Sequence, residues 1–345
     1  MVSIRWLALF FLFTAVAQAQ SWSVQTSGID SDFRGISAAY SLDSNGARIP
    51  AVWVSGSNGV ILRSVDSGKT WKRLHVPDGD TLNFRGVAAF DSNVAYMVSV
   101  GLSEKSRIYK TIDGGETWKL QYADKRKDFF LDAIACLSRT HCFALGDPVD
   151  GKFLILVMED GEHWKELPID NMPAALPQEG AFAASGSCLI VQGESIYFGT
   201  GSPAARVFHS SDLGSTWAVT NTPIVSGKPT SGIFSLSAGP GALFAVGGDY
   251  NDSSRSDRVA AFSRDQGKSW QLATQQPAGF RSAVAILNNG AIIVVGPTGE
   301  DISHDRGAHW EGIGSLNLNA IAALDEQNVW AAGPKGTVAR LVQQK

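Results

Sequence analysis

The stretch Thr111-Ile-Asp-Gly-Gly-Glu-Thr-Trp118 decides the fold, because its pattern Ser/Thr-x-Asp-x-Gly-x-x-Trp returns along almost the whole chain. A degenerate copy has Val157, Glu159, Gly161 and Trp164 at the matching offsets. The tryptophans that end the six copies are Trp71, Trp118, Trp164, Trp217, Trp270 and Trp310. Successive tryptophans are 40 to 53 residues apart, which is the period of propeller blades or kelch-like units.

Each copy has the chemistry of a tight turn between two strands. The aspartate accepts hydrogen bonds from backbone N–H groups, and the glycine adopts a positive φ without steric cost. The serine or threonine adds a second local hydrogen bond, and the tryptophan covers the turn with apolar surface. We therefore expect the repeated residues to be structural and not catalytic. They are Asp66, Asp113, Asp212, Asp265 and Asp305, with the six tryptophans.

Each period holds four strand-like runs, seen best in the second period at residues 84–90, 94–100, 107–111 and 117–122. After Trp310 only three such runs remain, whereas residues 22–26 resemble a fourth strand without the first three. Four-stranded blades that pack radially hide their sheet edges, and a shared sheet ties down both chain ends. The sequence thus predicts an all-β, seven-bladed β-propeller over residues 20–345, in which the N-terminal strand completes the C-terminal blade.

Residues 1–19 have the pattern of a cleaved signal peptide. Arg5 precedes an apolar run at residues 6–16, and Ala17-Gln-Ala19 matches a small-residue cleavage site. The alternative is a membrane anchor, but the apolar run is shorter than the ~20 residues that a spanning helix needs. We expect a mature chain that starts at Gln20, does not span a membrane, and is secreted or periplasmic.

Export permits disulfides, and the chain has three cysteines. Cys136 and Cys142 flank a predicted tight hairpin, where paired strands bring two thiols within bonding distance. We predict a local disulfide between them in preference to two free thiols. Cys188 lies in an apolar run and is predicted to be a buried free thiol.

The repeated pattern matches the Asp-box, or BNR, repeats of the sialidase-like superfamily. The chain also resembles the photosystem II stability and assembly factor family. This resemblance rests on the signature Phe84-Arg-Gly-Val with Tyr109-Lys-Thr-Ile-Asp-Gly-Gly-Glu-Thr-Trp118, and on the ring closure just described. It covers nearly all of residues 20–345 and implies an exported seven-bladed propeller with a role in assembly.

Sialidases share the repeat but also need an arginine triad, a tyrosine nucleophile and an Arg-Ile-Pro motif before the first blade. Arg48-Ile-Pro50 is present here, but inside the first blade, in a predicted polar loop after Asn45-Gly46. We interpret this match as a coincidence. Sialidases have six blades and xyloglucanases have two clamped propellers, so both differ from the architecture predicted for this chain.

Other signatures of catalysis or cofactor binding are missing from the sequence. Gly68-Lys-Thr and Gly267-Lys-Ser lack the first glycine of a phosphate loop, and there is no Gly-x-Ser-x-Gly elbow, zinc motif or calcium loop. A formal net charge of −4 without a basic run argues against a nucleic-acid partner. We therefore expect no cofactor and no metal.

The predicted binding surface is the rim opposite the repeated turns, because loops on a rigid scaffold often carry function. Three arginines in repeated Phe-Arg runs open blades one, two and six, and further charged residues lie on neighbouring loops. The candidates are Arg34, Arg85, Arg281, Asp132, Asp147, Asp249 and Arg258. The arginines either bind carboxylates through bidentate forks or pair with adjacent blades as structure, and both interpretations stay open.

Two functions follow as hypotheses. The first is a non-catalytic binding or assembly scaffold that recognises a protein or other macromolecule on one rim. The second is a glycan-active enzyme, a hydrolase or lyase, that uses a carboxylate pair such as Asp147 and Asp249. The absence of a recognisable catalytic constellation favours the first hypothesis.

Overall fold

The strand-like runs of each repeat pair with one another in chain order, so each repeat folds into one antiparallel sheet. The computed structural model describes residues 20–26 and 28–343. These residues form seven sheets of four main strands, which stand around a central channel as the blades of a propeller. The predicted fold class is therefore confirmed, whereas the predicted signal peptide lies outside the described residues.

Strand β1 (Gln20–Thr26) belongs to the last blade, and blades 1 to 3 follow it in chain order. Their strands are β2 (Phe33–Leu42), β3 (Arg48–Gly56), β4 (Ile61–Ser64) and β5 (Lys72–Leu74) in blade 1; β6 (Asn83–Ala89), β7 (Ala95–Val100), β8 (Arg107–Thr111) and β9 (Lys119–Ala123) in blade 2; and β10 (Leu131–Ser138), β11 (His141–Val149), β12 (Lys152–Met158) and β13 (Trp164–Glu166) in blade 3.

Blades 4 to 6 repeat the arrangement with one exception. A two-residue strand between the second and third strands of blade 4 pairs with blade 5 and not with blade 4. Their strands are β14 (Leu189–Gln192), β15 (Ser195–Gly199), β17 (Arg206–Ser210) and β18 (Ala218–Asn221) in blade 4; β16 (Gly201–Ser202), β19 (Lys228–Gly239), β20 (Ala242–Asp249), β21 (Ala260–Ser263) and β22 (Gln271–Leu272) in blade 5; and β23 (Ala283–Ile286), β24 (Ile292–Gly296), β25 (Gly299–Ser303) and β26 (Glu311–Gly314) in blade 6. The two short 3₁₀ helices are η1 (Ser103–Lys105) and η2 (Tyr250–Asp252).

Blade 7 joins the two ends of the described chain. It contains β27 (Ala320–Asp325), β28 (Asn328–Ala332), β29 (Thr337–Gln343) and β1. Strand β1 runs antiparallel to β29 over its whole length, with Trp22 opposite Leu341. The predicted closure of the ring is thereby confirmed.

The ring is held together by contacts between neighbouring blades. The first strand of each blade contacts the first strands of both neighbours, in a cycle that runs from β2 through β27 and back to β2. Apolar side chains fill the spaces between the blades, as where Trp53 of blade 1 packs in one cluster with Phe84 and Met97 of blade 2. Each large side chain buried in this way contributes about 1.5–3 kcal/mol, which a single blade could not gain alone.

The repeated turns, which we call box turns, connect the third and fourth strands of blades 1 to 6. In the turn of blade 2, Asp113 accepts the backbone N–H of Thr117 at 2.9 Å and its hydroxyl at 2.6 Å. The Thr111 hydroxyl accepts the N–H of Gly115 at 2.8 Å, and Gly115 has φ 86°. Equivalent bonds are made by Asp66, Asp212, Asp265 and Asp305.

In the degenerate box turn of blade 3, the residue that takes the role of the box aspartate is not the one that the sequence offsets indicate. Asp160, and not Glu159, accepts backbone N–H groups of the turn, those of Glu162 and His163, each at 2.8 Å. Glu159 instead pairs with Lys165 at 2.7 Å. The carboxylate of Asp160 accepts the N–H of the residue three positions later, whereas the aspartates of the regular copies accept the N–H four positions later. The acidic residue is therefore shifted by one position, and the turn is preserved.

Two further local features bear on the sequence analysis. Cys136 and Cys142 are opposite each other in the β10–β11 hairpin and form a disulfide, while Cys188 is buried and free. Arg48 and Pro50 lie in strand β3, so the prediction of a polar loop there is wrong. Pairing of residues 48–50 with β2 and the contact of the Arg48 guanidinium with the Tyr40 ring, 4.1 Å from its centroid, explain the extended conformation.

Among the described residues, no helix has the length and apolar character needed to cross a membrane.

Candidate functional site

A repeated β-bulge at the start of the first strand places one residue per blade at the mouth of the channel. In blades 1, 2, 3 and 5 the pairing of the first strand skips a single residue. A bulge residue is left out of the ladder, and its side chain is redirected. The residues skipped are Arg34, Arg85, Asp132 and Phe234.

Blades 6 and 7 present a residue from the same place. Ser282 and Asn319 immediately precede Ala283 and Ala320, the first paired residues of their blades. The N–H of Ser282 bonds Val295, and the N–H of Asn319 bonds Ala332 in the same manner. Six of the seven blades therefore contribute one residue each to the channel mouth.

These six residues line one cavity of about 670 Å³, which we call the mouth pocket. It lies at the end of the channel opposite the box turns, because its walls come from connections that lead into first strands or join second to third strands. The remaining lining residues are Asp32, Phe130, Asp147, Ala181, Phe182, Ala183, Ala184, Tyr250, Phe280, Pro297, Asn317 and Pro334.

The wall formed by blades 1 and 2 is charged and hydrogen-bonded. Asp32 accepts Nε of Arg34 at 2.7 Å and Nδ2 of Asn319 at 2.8 Å, which ties blade 7 to blade 1. Arg85 donates one N–H to the carbonyl of Ala183 at 3.0 Å. Burial lowers the pKa of Arg85, and the neighbouring Arg34 charge acts in the same direction. The guanidinium still stays ionised, because its ordinary pKa is so high.

Two carboxyl groups stand side by side in blade 3. Asp132 is the bulge residue of β10, and Asp147 is the bulge residue of β11 in its pairing with β12. The pair Leu131–Gly146 lies between the two bulges, which brings both aspartates to the same corner of the mouth pocket. Asp147 Oδ1 accepts the N–H of Ala181 at 3.0 Å.

Asp132 differs from every other carboxylate of the pocket in its surroundings. It is 1% exposed, and neither of its oxygens has a hydrogen-bond donor among the described residues. Burial and the nearby charge of Asp147 raise its pKa well above the usual range, and Arg85 opposes that rise. Burial raises the pKa of Asp147 to about 6, against the N–H bond from Ala181. The pair thus holds protons more tightly than ordinary aspartates do.

The opposite wall is aromatic. The Phe182 and Phe234 rings stack with centroids 3.9 Å apart, and Phe280 meets Phe234 edge-on at 4.7 Å. Tyr250 extends this cluster and is 50% exposed. The mouth pocket is therefore divided into a charged half on blades 1 to 3 and an apolar half on blades 4 to 6.

Phe182 reaches the pocket on a long connection between blades 3 and 4. Within this connection, Glu179 accepts Nε of Arg206 at 2.8 Å in a buried ion pair. Gly180 bridges to Gly201, which fixes the direction of the chain just before Phe182. A buried pair with matched hydrogen bonds favours one geometry of the segment, although it adds little net stability.

Four of the seven predicted binding residues, Arg34, Arg85, Asp132 and Asp147, line the mouth pocket. Asp249 does not line it, because its carboxylate is buried and accepts Lys228 Nζ at 2.9 Å and the Thr230 hydroxyl at 2.6 Å. Arg258 is exposed elsewhere and donates to the carbonyl of Pro223.

Arg281 also lies outside the pocket, although it follows a phenylalanine as Arg34 and Arg85 do. It is 1% exposed and donates Nε to Asp301 at 2.6 Å, beneath the pocket wall. Ser282 occupies the bulge position instead, so the Phe-Arg run of blade 6 is displaced by one residue. A ring of three arginines at the mouth is therefore reduced to two.

Sequence reasoning missed the aromatic wall. Phe182 lies seven residues before β14, Phe234 lies at a bulge within β19, and Phe280 lies three residues before β23, so the three share no position in the sequence of their blades. Ser282 stands 14 residues before Gly296, as Asp132 does before Gly146, but Phe234 stands 13 residues before Gly247 and Arg34 stands 22 before Gly56. Spacing alone would therefore not have placed Phe234 beside Arg34.

No group of three or more His, Cys, Asp or Glu side chains in the described part of the chain is arranged to hold a metal ion. The mouth pocket combines two arginines, two neighbouring carboxyl groups and an aromatic wall. Mixed polar and aromatic linings of this kind fix the orientation of a ligand while burying its apolar part.

Comparisons with known proteins show similarity in structure but not in sequence. No family model matches the chain, and no curated protein matches it. The structure of YCF48 bound to D1 peptide superposes with a TM-score of 0.66 at 16% identity, covering 94% of this chain and 97% of that one. YCF48 from Cyanidioschyzon merolae gives a TM-score of 0.65 at 16% identity, covering 93% and 98%. The computationally designed Ika8 protein gives 0.53 at 13% identity, covering 94% and 100%.

Proposed function

We propose that this protein is an exported, non-catalytic binding propeller that captures a segment of a protein partner in the mouth pocket. The division of the pocket into a charged half and an aromatic half carries the proposal. Peptide side chains offer both kinds of group within one short segment, and aromatic and arginine residues dominate recognition at protein interfaces. The fold similarity to YCF48 bound to D1 peptide supports a peptide as the ligand.

The rigidity of the pocket also supports a binding role. Its residues come from six blades, and hydrogen bonds such as those of Asp32 to Arg34 and Asn319 join neighbouring blades at the rim. A preformed site loses little conformational entropy when a ligand binds, so more of the contact energy contributes to affinity. The predicted signal peptide supports a location in the periplasm or outside the cell, where exposed partner segments would be met.

The test of this function is a selection of peptides from a random-sequence display library against the mature chain, residues 20–345. Tyr250→Ala and Arg34→Ala remove one group from each half of the pocket, and we expect each to weaken the selected peptides at least tenfold. Ile112→Ala and Arg73→Ala are matched controls, since both residues are exposed at the box-turn end. Peptides that bind the pocket variants as tightly as the wild type would rule out the mouth pocket as the binding site.

The second candidate is a glycan hydrolase, and the carboxyl pair Asp132–Asp147 is the observation that favours it. A hydrolase needs one protonated and one ionised carboxyl group, with pKa values pushed apart. Here burial raises the pKa of both groups, that of Asp147 to about 6, so the pair can hold one proton and one negative charge near neutral pH. Hydrolysis of any member of a glycan panel that Asp147→Asn abolishes would replace the binding function by this one.

A further inference from the structure

The carboxyl group of Asp132 is buried at the wall of the mouth pocket without a hydrogen-bond donor. Burial of a carboxyl group without a hydrogen-bond partner destabilises the folded state, so folded proteins seldom keep one without a use. The β-bulge that places Asp132 at the pocket wall recurs at Arg34, Arg85 and Phe234. Asp132 is therefore placed as a ligand-facing residue and not as a core residue.

The surroundings of Asp132 indicate what it lacks. Asp147 adds a second carboxyl at the same corner, and the N–H of Ala181 satisfies only one of its oxygens. The charge of Arg85 lowers the pKa of Asp132, but the side-chain hydrogen bond of Arg85 goes to the carbonyl of Ala183. Burial raises the pKa of the Cys188 thiol, and the charges of Asp132 and Asp147 raise it further. The corner thus has acceptor atoms in excess of donors.

Resting on the proposed function, we propose that Asp132 and Asp147 together bind one cationic side chain of the partner segment, an arginine or a lysine. Guanidinium and ammonium groups are multiple donors that match several carboxylate oxygens at once. The aromatic wall of Phe182, Phe234 and Tyr250 across the pocket receives the apolar residues beside that cation, and its ring faces attract cations as well.

Binding of a cation changes the protonation of the corner. In the free protein the two carboxyls retain a proton, because burial raises both pKa values, that of Asp147 to about 6, and the charge of Asp147 raises the pKa of Asp132 further. A bound cation stabilises the ionised forms and displaces that proton. Affinity for a basic peptide should therefore rise between pH 5 and pH 7, with Arg85, Cys188 and the Ala181 N–H as the other groups that face the pair.

The test uses peptides selected from the same random-sequence library against the wild type and against the double variant Asp132→Asn, Asp147→Asn. We expect a basic residue next to an aromatic or aliphatic one to be enriched only against the wild type. In a selected peptide, replacement of arginine by citrulline should weaken wild-type binding at least tenfold and leave binding to the double variant unchanged, which isolates the pairwise interaction.

One further measurement tests the proposal independently of the variant. Calorimetry at pH 6 in buffers of different ionisation enthalpy should show release of protons when the arginine peptide binds and none with citrulline. Because the citrulline comparison needs no change to the protein, it remains valid if the double variant fails to fold. Selection of acidic peptides whose binding depends on Arg34 and not on the aspartates would overturn this inference and leave the proposed function intact. If no selected peptide depends on the mouth pocket for binding, both this inference and the proposed function are overturned.

Discussion

Glu300 shows how one residue can make stability depend on pH. Its side chain is buried, Oε1 accepts the N–H of Leu316 at 3.1 Å, and Oε2 has no donor among the described residues. Burial raises its pKa to about 7, with Asp301 acting in the same direction and Arg281 against it. The folded chain therefore binds this proton more tightly than the unfolded chain, in which the pKa is near the ordinary value of 4.5.

We expect the free energy of unfolding to fall as the pH rises from about 4.5 to about 7, because the unfolded state gives up the Glu300 proton first. The loss is at most about 3 kcal/mol, from 1.4 kcal/mol for each pKa unit. Glu300→Gln removes this titration, so its stability relative to the wild type should grow between pH 4 and pH 8.

Denaturant midpoints of both proteins at pH 4, 6 and 8 measure the effect. Glu311→Gln is a matched control, because that side chain is exposed on the neighbouring strand β26. A wild type and a Glu300→Gln variant whose midpoints change in parallel with pH would show that the carboxyl is not strained by burial.

At the scale of the element, glycines in the second strands make room for the segment that leads into the first strand of the same blade. A methyl group at Gly146 would lie 2.7 Å from the Phe130 carbonyl oxygen, and one at Gly56 would lie 2.8 Å from that of Asp32. Both carbonyls belong to the segments that lead into first strands. The missing side chains let these segments approach the second strand, which holds the bulge residues at the channel mouth.

Gly146→Ala should lower the free energy of unfolding by about 1–3 kcal/mol, because the new methyl group overlaps backbone that cannot move without shifting Asp132. Gly312→Ala is the matched control, since a methyl group there has its nearest neighbours 4.0 Å away in a strand. Thermal melts of both variants test the prediction, and equal melting temperatures would contradict it. If Gly146→Ala also binds the selected peptides more weakly than the wild type, the displacement of the backbone extends to the mouth pocket.

The sequence was sufficient to predict the number of blades, the box turns and the closure of the ring, because all three depend on spacing. It predicted the mouth residues only in part, because a β-bulge moves a side chain by one position without changing composition. Arg281 follows a phenylalanine as Arg34 does, yet the pairing of Ala283 with Val295 turns Arg281 inward and Ser282 outward. Phe234 is not part of a Phe-Arg run, so only the register of β19 against β20 reveals its position at the channel mouth.

At the scale of the whole molecule, one strand from the N-terminal end of the described chain completes the last blade. Strand β1 covers β29 with a ladder of seven residue pairs, and Trp22 packs against the apolar cluster that includes Val329 and Leu341. Without this strand, the edge of β29 would expose unpaired backbone groups, which invites pairing with other chains.

A chain that starts at Gly28 should therefore unfold at a lower denaturant concentration than one that starts at Gln20, with a loss of at least about 3 kcal/mol from the ladder and from Trp22. It should also form dimers or larger species through β29. Midpoints and size-exclusion chromatography measure both effects, and a synthetic peptide of residues 20–26 should restore part of the stability. An unchanged midpoint together with a monomeric elution profile would show that β1 is dispensable.

The pairing of β1 with β29 also affects the order in which parts of the molecule fold. The strand synthesised first among those described finds its partner only after about 320 further residues have been made, as the pairing of Trp22 with Leu341 requires. Closing so long a loop costs little extra equilibrium entropy, because that cost grows only with the logarithm of loop length. It does make the last step slow and non-local. Blades 1 to 6 can assemble while the chain is still being synthesised, but the ring closes only after the C-terminal residues have been made. Until then, chaperones that recognise unpaired sheet edges can bind the chain.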